Sequence, residues 1–437
     1  MKNIKIIKTG INGEGIGYDN KTPVFIEGAL VDEIVDVDQI TKYQRYKKGV
    51  VCNIRKSSID RKEPECKIQK RCGGCSLMIS KYDNQLDIKK SLVKEALIKY
   101  ARVNPRLVED VVASDEVLEY RNQCKLPVKW LKGTLYSGMY KPQTNHLVYM
   151  DKCLIHDKEL DRVRKDIMDI LNKFEIRDYN EKIERGLRNF VLRGFEDEFQ
   201  CTLVTGKMRF DQKMIDEILN VKGLVSLFQN INFNSKSYEV FSNEFIHLGG
   251  KKKLALNFKD KRINLSPASF FQLNKNQAEK LYDKVIDLLK PSNFIVEAYS
   301  GVGIISLLSS FKAKKVLGIE SNSAAVKNAK ENAKINHIDN VDFICGDAAT
   351  VLNDRIKEKI DTLIVDPPRS GLDDNIIDTL LRIKPRSIIY ISCNPATLGK
   401  NINELSYEYN VDSVTPFDMF PQTPHVESVV LMSRVGK

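Results

Sequence analysis

From about residue 277 onward, short apolar runs alternate with segments of helical periodicity. The runs are rich in valine, isoleucine and leucine, which is typical of strands buried on both faces. Strands separated by helices usually form a parallel sheet. The pattern therefore predicts an α/β domain over residues 261–437, with strands near 294–298, 315–320, 340–347, 361–366 and 387–390.

The first 57 residues show a different pattern, in which short strand-like runs follow one another without a helix. Short strands separated by turns are typical of a small, OB-like β-barrel. One predicted loop of this barrel alternates tyrosines with basic residues. Such a loop can stack on bases and contact phosphates, although a solvated loop is the simpler alternative. Its residues are Lys42, Tyr43, Arg45, Tyr46, Lys47 and Lys48.

Residues 58–260 mix helical and strand-like patterns and predict a central α+β domain. Apolar residues at helical spacing predict an amphipathic helix over residues 85–101, which could pack on the C-terminal domain. Arg121, Arg188 and Arg193 could contact phosphates, but surface salt bridges are the simpler interpretation.

Composition adds a cellular context and a class of partner. Hydrophobic residues make up 42% of the 437 residues and charged residues 29%, which is typical of a globular chain. The start of the chain lacks the apolar segment of a signal peptide, and no run is long enough to span a bilayer. We therefore expect a cytoplasmic protein without membrane contact. Its formal net charge of +11 favours a polyanionic partner.

Nine cysteines in a chain of this kind favour metal binding or catalysis over disulfides. Cys66, Cys72 and Cys75 form a C-x5-C-x2-C array, and Cys153 is the candidate fourth ligand. All-thiolate ligation suits an iron–sulfur cluster or zinc. One triad with a remote fourth thiolate favours the cluster, because zinc sites usually pair their ligands in two hooks. Four other cysteines lie in apolar contexts and are predicted to be core residues: Cys52, Cys124, Cys201 and Cys345.

A glycine turn at Gly301 and Gly303 follows the first strand of the α/β domain and precedes a helix. Glycines there allow a ligand to approach the backbone closely. Glu320 ends the next strand about 20 residues later, which is the arrangement that binds ribose hydroxyls. Asp347 and Asp366 end two further strands. Together these features predict a cofactor that contains adenosine.

Cys393 lies where another strand ends, because Asn394-Pro395 interrupts the apolar run before it. The carboxyl edge of an open α/β sheet is where ligands bind. A small buried hydrophobic residue is the alternative role for Cys393. Glu427 comes just before the last strand, where a solvated turn residue is the alternative.

These motifs together resemble the RNA (uracil-5-)-methyltransferase family, in particular its 23S rRNA branch, which has a TRAM domain and an iron–sulfur cluster. The resemblance covers essentially the whole chain. It implies a TRAM-like barrel over residues 1–57, a central domain over 58–260 with a 4Fe-4S cluster, and a class I, Rossmann-like, S-adenosylmethionine-dependent methyltransferase domain over 261–437. The motifs that support it are Phe270-Phe271-Gln272-Leu273-Asn274, Asp366-Pro367-Pro368-Arg369, Ser392-Cys393-Asn394-Pro395, His425-Val426-Glu427 and the four cysteines.

The resemblance also implies roles for individual residues. Cys393 matches the nucleophile that adds to C6 of uracil, and Glu427 matches the base that removes the C5 proton. Phe270 matches an aromatic residue near the target base, with a buried core position as the alternative, and Asp366 can face both substrate and cofactor. The S-adenosylmethionine site would comprise Gln272, Tyr299, Gly301, Gly303, Glu320, Asp347 and Asp366, and the cluster ligands would be Cys66, Cys72, Cys75 and Cys153.

The implied partner is 23S rRNA, presented as an unpaired loop with the target uridine flipped out. We expect a monomer that does not bind DNA. A tRNA substrate is the first alternative, and the cysteine motif disfavours it because the tRNA branch generally lacks that motif. A non-catalytic RNA-binding factor for ribosome assembly is the second alternative.

Overall fold

The computed structural model describes residues 1–142, 144–234 and 239–436. The N-terminal strands form one sheet with the order β1-β5-β6-β4-β3-β2. Its two edge strands are separated by only Ile6 and Ile7, so the sheet curls until its edges meet, which gives the predicted barrel. The barrel encloses a small apolar core that includes Val24, Ile26 and Val35. The strands are β1 Ile4–Lys5, β2 Lys8–Thr9, β3 Gly15–Asp19, β4 Thr22–Glu27, β5 Ile34–Lys42 and β6 Lys47–Lys56.

The central part of the chain forms a mostly antiparallel sheet covered by helices on one face. Among the described residues its strand order is β13-β12-β11-β10-β7-β8-β9, and β11 and β12 run parallel. Cys124, Phe190 and Cys201 of the sheet pack under α3 and α4. The elements are α1 Gln69–Cys72, α2 Tyr82–Ala101, β7 Gln123–Leu131, β8 Thr134–Tyr140, β9 Leu147–Tyr149, α3 Lys158–Lys173, β10 Leu187–Phe195, β11 Glu198–Thr205, α4 Gln212–Leu219, β12 Leu224–Ile231 and β13 Phe245–Gly250.

The C-terminal part is the predicted α/β domain, with the strand order β18-β17-β16-β19-β20-β22-β21. Strands β16 to β20 run parallel, and β22 enters antiparallel between β20 and β21. Its elements are β14 Leu254–Phe258, β15 Lys261–Leu265, α5 Lys275–Leu288, β16 Ser292–Ala298, α6 Ile304–Ser309, β17 Ala313–Glu320, α7 Ser323–Ile335, β18 Val341–Cys345, α8 Ala348–Asp354, β19 Thr362–Val365, α9 Asp374–Ile383, β20 Ser387–Ser392, α10 Pro395–Leu405, β21 Tyr409–Phe417 and β22 Glu427–Arg434.

Helix α2 belongs to the core of the C-terminal domain although it lies far away in sequence. It starts three residues before the predicted position 85 and packs along α10. Its residues Val93 and Leu97 are buried in the same cluster as Leu398 of α10. Gly399 lies at this contact, since a Cβ atom there would come within 3.0 Å of the Ala96 carbonyl oxygen.

The hairpin of β14 and β15 crosses the predicted domain boundary at residue 260 and contributes Leu256, Phe258 and Ile263 to the C-terminal core. Residue 437, the predicted end of the domain, lies outside the described residues. None of the described helices combines the length and the apolar character needed to cross a membrane.

Candidate active site

Cys393 lies at the carboxyl end of β20, between the strand and helix α10. Asn394 begins the helix, because its side chain accepts a hydrogen bond from the Ala396 amide at 3.1 Å, and Pro395 occupies the first helical position. The Asn394 side chain also donates to the Arg369 carbonyl at 3.2 Å. This bond joins the loop after β20 to the loop after β19. Cys393 is partly exposed and is therefore not a buried core residue.

Glu427 is the first residue of β22, and its side chain is buried, with only 6% of the residue exposed. It is not a solvated turn residue. Strand pairing explains its position, because Ser392 of β20 is opposite Ser428 of the antiparallel β22. Cys393 directly follows Ser392 and Glu427 directly precedes Ser428, so the two residues lie near each other at the ends of neighbouring strands, and the charge of Glu427 acts on Cys393.

Asp366 follows β19, the parallel neighbour of β20 on its other side. Burial raises the pKa of Asp366 to about 7, and burial followed by the charge of Asp366 raises that of Glu427 to about 8. The pKa of Cys393 rises to about 11 through burial and the charges of Glu427 and Asp366, while Arg369 opposes the rise. The three groups therefore interact electrostatically, and a cation in the site would favour their ionised forms.

The predicted glycine turn connects β16 to α6. Gly301 and Gly303 both have positive φ, at 53° and 84°. A Cβ atom on Gly303 would lie 2.5 Å from the Phe343 ring, whereas no described atom lies within 4 Å of a Cβ built on Gly301. Open space above Gly301 is the property that a ligand-binding turn requires. Tyr299, just before the turn, also has positive φ, at 65°.

Glu320 ends β17 beside this turn. Its carboxylate accepts hydrogen bonds from the amides of Gly301 at 3.0 Å and Asn322 at 2.8 Å. The Ser321 hydroxyl also donates to it at 3.2 Å. A carboxylate has about four acceptor sites, so one ribose hydroxyl can still bind to it.

Asp347 is exposed and has a structural contact, since it caps α8 by accepting from the Thr350 amide at 2.9 Å. It nevertheless lies near the turn: burial, then the charges of Asp373 and Asp347, raise the pKa of Tyr299 to about 12.

Phe270 and Gln272 lie in the segment between β15 and α5, and their environments differ. Phe270 is 69% exposed, which excludes the buried core position considered for it. Gln272 is buried, and the central domain holds its backbone: the Asn122 side chain donates to the Gln272 carbonyl at 2.9 Å. Arg193 donates to the Ser269 carbonyl of the same segment. Arg193 is 4% exposed, so a surface salt bridge is the wrong interpretation for it.

Two buried groups near the site were not singled out from the sequence. Glu297 of β16 is 2% exposed and accepts a hydrogen bond from Ser306 of α6. Burial raises its pKa to about 8, and the charge of Asp366 contributes to the rise. Tyr282 of α5 is also buried, and its hydroxyl group interacts with Gln272 and with the charges of Asp366, Glu297 and Glu427. An acid inside an apolar strand was the available signal for Glu297.

The four predicted cluster cysteines, Cys66, Cys72, Cys75 and Cys153, line one small cavity. Burial raises the pKa of Cys75 to about 12, and the neighbouring thiols Cys153 and Cys72 add to the rise. Within the described residues, no group of three or more histidine, cysteine or acidic side chains could hold a metal ion. Of the cysteines predicted to be core residues, Cys124 and Cys201 are buried, whereas Cys52 and Cys345 are exposed.

Comparisons with known proteins agree with this architecture. Residues 81–435 match the family model described as tRNA (Uracil-5-)-methyltransferase, and residues 2–47 match the TRAM domain. The chain is 36% identical to an "Uncharacterized RNA methyltransferase" of Clostridium tetani, over 99% of this chain and 96% of the relative. It is also 36% identical to a relative of the same description from Enterococcus faecalis, over 99% and 97%.

Among solved structures, a tRNA (uracil-54, C5)-methyltransferase of Pyrococcus abyssi, in complex with S-adenosyl-L-homocysteine, is similar over 99% of this chain and 100% of that one. The TM-score is 0.79 and the sequence identity is 27%. The chain therefore belongs to the RNA uracil-5-methyltransferase family and begins with a TRAM domain.

Proposed function

We propose that this protein transfers a methyl group from S-adenosylmethionine to C5 of a uridine in RNA, with Cys393 as nucleophile and Glu427 as base. The observation that supports this most strongly is that three residues meet at one edge of the sheet: Cys393 directly follows β20, Glu427 begins the paired strand β22, and Asp366 directly follows the adjacent strand β19. A thiol next to a buried carboxylate with a raised pKa is a suitable pair for nucleophilic addition followed by proton removal.

The residues around the glycine turn fit S-adenosylmethionine. The open space above Gly301 and the remaining acceptor site of Glu320 suit its adenosine part. When bound, the cofactor supplies an electrophilic methyl group and a positive charge. Asp366, Glu297 and Glu427 are the buried carboxyl groups that would respond to that charge, since their raised pKa values fall when a cation enters. We also assign Gln272, Tyr299, Gly303 and Asp347 to this site.

Cys393 acts first in the proposed reaction. Its thiolate adds to C6 of uracil, and the electrons of the C5–C6 bond move to C5 and the neighbouring carbonyl, so that C5 can accept the methyl group. Glu427 then removes the remaining proton from C5. The electrons of that C–H bond restore the double bond, and the sulfur–C6 bond breaks to return Cys393. A uridine can enter only when it is flipped out of its stack, and the exposed Phe270 can then stack on it.

We further propose that Cys66, Cys72, Cys75 and Cys153 hold a 4Fe-4S cluster. The described side chains are not arranged to hold a single metal ion, whereas four cysteines around one mainly apolar cavity suit a cluster, because the ligands of a cluster bind separate iron atoms. Iron and sulfide analysis of protein purified without oxygen should give four of each per chain. Cys72→Ala should lose both, whereas Cys345→Ala, which changes an exposed cysteine elsewhere, should retain them.

As the substrate we propose 23S rRNA, because the four-cysteine motif is the feature that resembles the rRNA branch of the family. The full-length similarity to a tRNA methyltransferase of Pyrococcus abyssi supports tRNA as the second candidate. In either case the barrel with its Tyr43–Tyr46 stack suits unpaired RNA rather than DNA. We expect the protein to act as a monomer.

The deciding experiment uses RNA that carries 5-fluorouridine, together with S-adenosylmethionine. Fluorine cannot leave as a proton, so the reaction should stop with the RNA attached to Cys393. We expect a band on a denaturing gel with 23S fragments that is absent for Cys393→Ala. A band only with tRNA would change the substrate, and a band with neither RNA would contradict the proposed enzyme.

A further inference from the structure

The loop of residues 418–426 joins β21 to β22 and ends directly at Glu427, since Phe417, the last residue of β21, pairs with Glu427, the first residue of β22. It lies in the interior: all of its residues except Phe420 and His425 are buried. A buried loop without regular structure must find partners elsewhere for its backbone groups. Gln422 adds a constraint, because this non-glycine residue has a φ of 70° while only 1% exposed.

The partners of this loop come from residues 77–120, which lie far from it in sequence and precede the predicted α/β domain. Lys89 of α2 forms an ion pair with Asp418 in which both side chains are fully buried. The same ammonium group donates to the Phe420 carbonyl at 3.0 Å. Since Lys89 contacts both the side chain at the start of the loop and a carbonyl group within it, it determines how the loop leaves β21.

Gln85, one helical turn before Lys89, makes a second and two-sided contact. Its amide nitrogen donates to the Gln422 side chain at 3.0 Å, and its oxygen accepts from the Gln422 backbone amide at 2.9 Å. The next contacts are the Tyr120 hydroxyl, which donates to the Pro421 carbonyl at 3.0 Å, and the Leu77 amide, which donates to the Gln422 carbonyl at 3.0 Å. These bonds hold Gln422 in its strained conformation.

We infer that Lys89 and Gln85 are positioning residues for the base, acting on Glu427 through this loop; the inference rests on the proposed function. Neither side chain has a partner among the reacting groups. A displaced loop would move Glu427 relative to the C5 proton but would leave Cys393, which the end of β20 and the start of α10 position, in place. Loss of Lys89 or Gln85 should therefore slow the elimination step and spare the addition step.

The test follows the covalent protein–RNA complex on ordinary, unfluorinated RNA with S-adenosylmethionine. In the wild type the complex should decay quickly to methylated RNA. Lys89→Met should form the complex at the wild-type rate, judged with 5-fluorouridine RNA, but should release ordinary RNA about 10- to 100-fold more slowly, because small displacements of a reacting group have effects of that size. Lys90→Met is the matched control, since Lys90 is on the same helix and pairs with the exposed Asp110.

Lys89→Met leaves the Asp418 carboxylate buried without its cation, so Gln85→Leu, which changes no charge, is the second variant. Slow release by either folded variant, with normal complex formation, supports the inference. The inference would be overturned if Gln85→Leu, and Lys89→Met if it folds, released ordinary RNA at the wild-type rate. It would also be overturned if complex formation and release slowed equally. If the wild type forms no complex with fluorinated RNA, the proposed function itself fails. If the complex forms normally and the variants release ordinary RNA at the wild-type rate, only the inference about Lys89 and Gln85 fails.

Discussion

Glu297 gives the clearest physical prediction, because its carboxyl group is buried and contacts no cationic side chain among the described residues. Its pKa is raised from 4.5 to about 8, chiefly by burial. Between these two values the folded protein holds a proton that the unfolded chain has lost. The free energy of unfolding must therefore fall as pH rises through this window, and the loss is complete above pH 8.

The size of the effect follows from the shift. At pH 7 the group is 2.5 pH units above its pKa in the unfolded chain, and each unit corresponds to about 1.4 kcal/mol, so ionisation of the unfolded state costs the protein about 3 kcal/mol. Glu297→Gln removes this cost, and its amide oxygen can still accept the hydrogen bond from Ser306. The amide also adds donors that need partners, but this penalty is independent of pH and cancels when two pH values are compared.

The measurement is thermal unfolding of the wild type and Glu297→Gln at pH 5 and at pH 7. The stability of the variant relative to the wild type should increase by about 2 to 3 kcal/mol between these values, or roughly 2 to 3 °C in Tm for a chain of 437 residues. Glu358→Gln, which changes a glutamate side chain that is 61% exposed, controls for the removal of a charge. The reasoning would be refuted if the difference in the free energy of unfolding between the wild type and Glu297→Gln were the same at both pH values.

Three further predictions concern neighbouring residues. The methylation rate at saturating RNA should rise with pH as Glu427 ionises, since the pKa of this residue is raised to about 8. Glu427→Gln should lose this pH dependence and should accumulate the covalent complex on ordinary RNA. Phe270→Ala should raise KM for RNA without changing Tm, whereas Phe271→Ala, which removes a buried ring packed on Phe258, should cost about 3–5 kcal/mol in urea unfolding. Gly303→Ala should destabilise by about 2–4 kcal/mol, because its φ is 84° and its Cβ would meet the Phe343 ring; a normal Tm for that variant would contradict this.

The sequence predicted the parts of the site in which chemistry follows directly from a local pattern. Each parallel strand is an apolar run that ends in a polar residue, so Glu320, Asp366 and Cys393 could be assigned to one edge of the sheet before any contact was known. The structure agrees with this assignment for Asp366 and Cys393, because β19 and β20 are parallel neighbours.

The environment of Glu427 could not be predicted in the same way. Its burial depends on β22 pairing with β20 and β21, and strand pairing between distant segments leaves no local signal. For the same reason, the contacts of Arg193 and Gln85 could not be predicted. The carbonyl group that Arg193 contacts is 76 residues away, and Gln422, the partner of Gln85, is 337 residues away. Cys52 and Cys345 are exposed although their contexts are strand-like, because such a context does not specify which face of the sheet a residue occupies.

The buried pair of Lys89 and Asp418 has a consequence for how the chain is made. The two residues are 329 positions apart, and a ribosome that adds about 5–20 residues per second needs roughly 16 to 66 seconds to reach the second after the first. During that interval α2 has left the ribosome, but the strand and loop that cover it do not yet exist. The lysine that ends in the interior must remain hydrated, and the apolar face of its helix must remain uncovered. The docking of α2 on this loop therefore cannot be completed before Asp418 has been made, and Glu427 acquires its final position only after that.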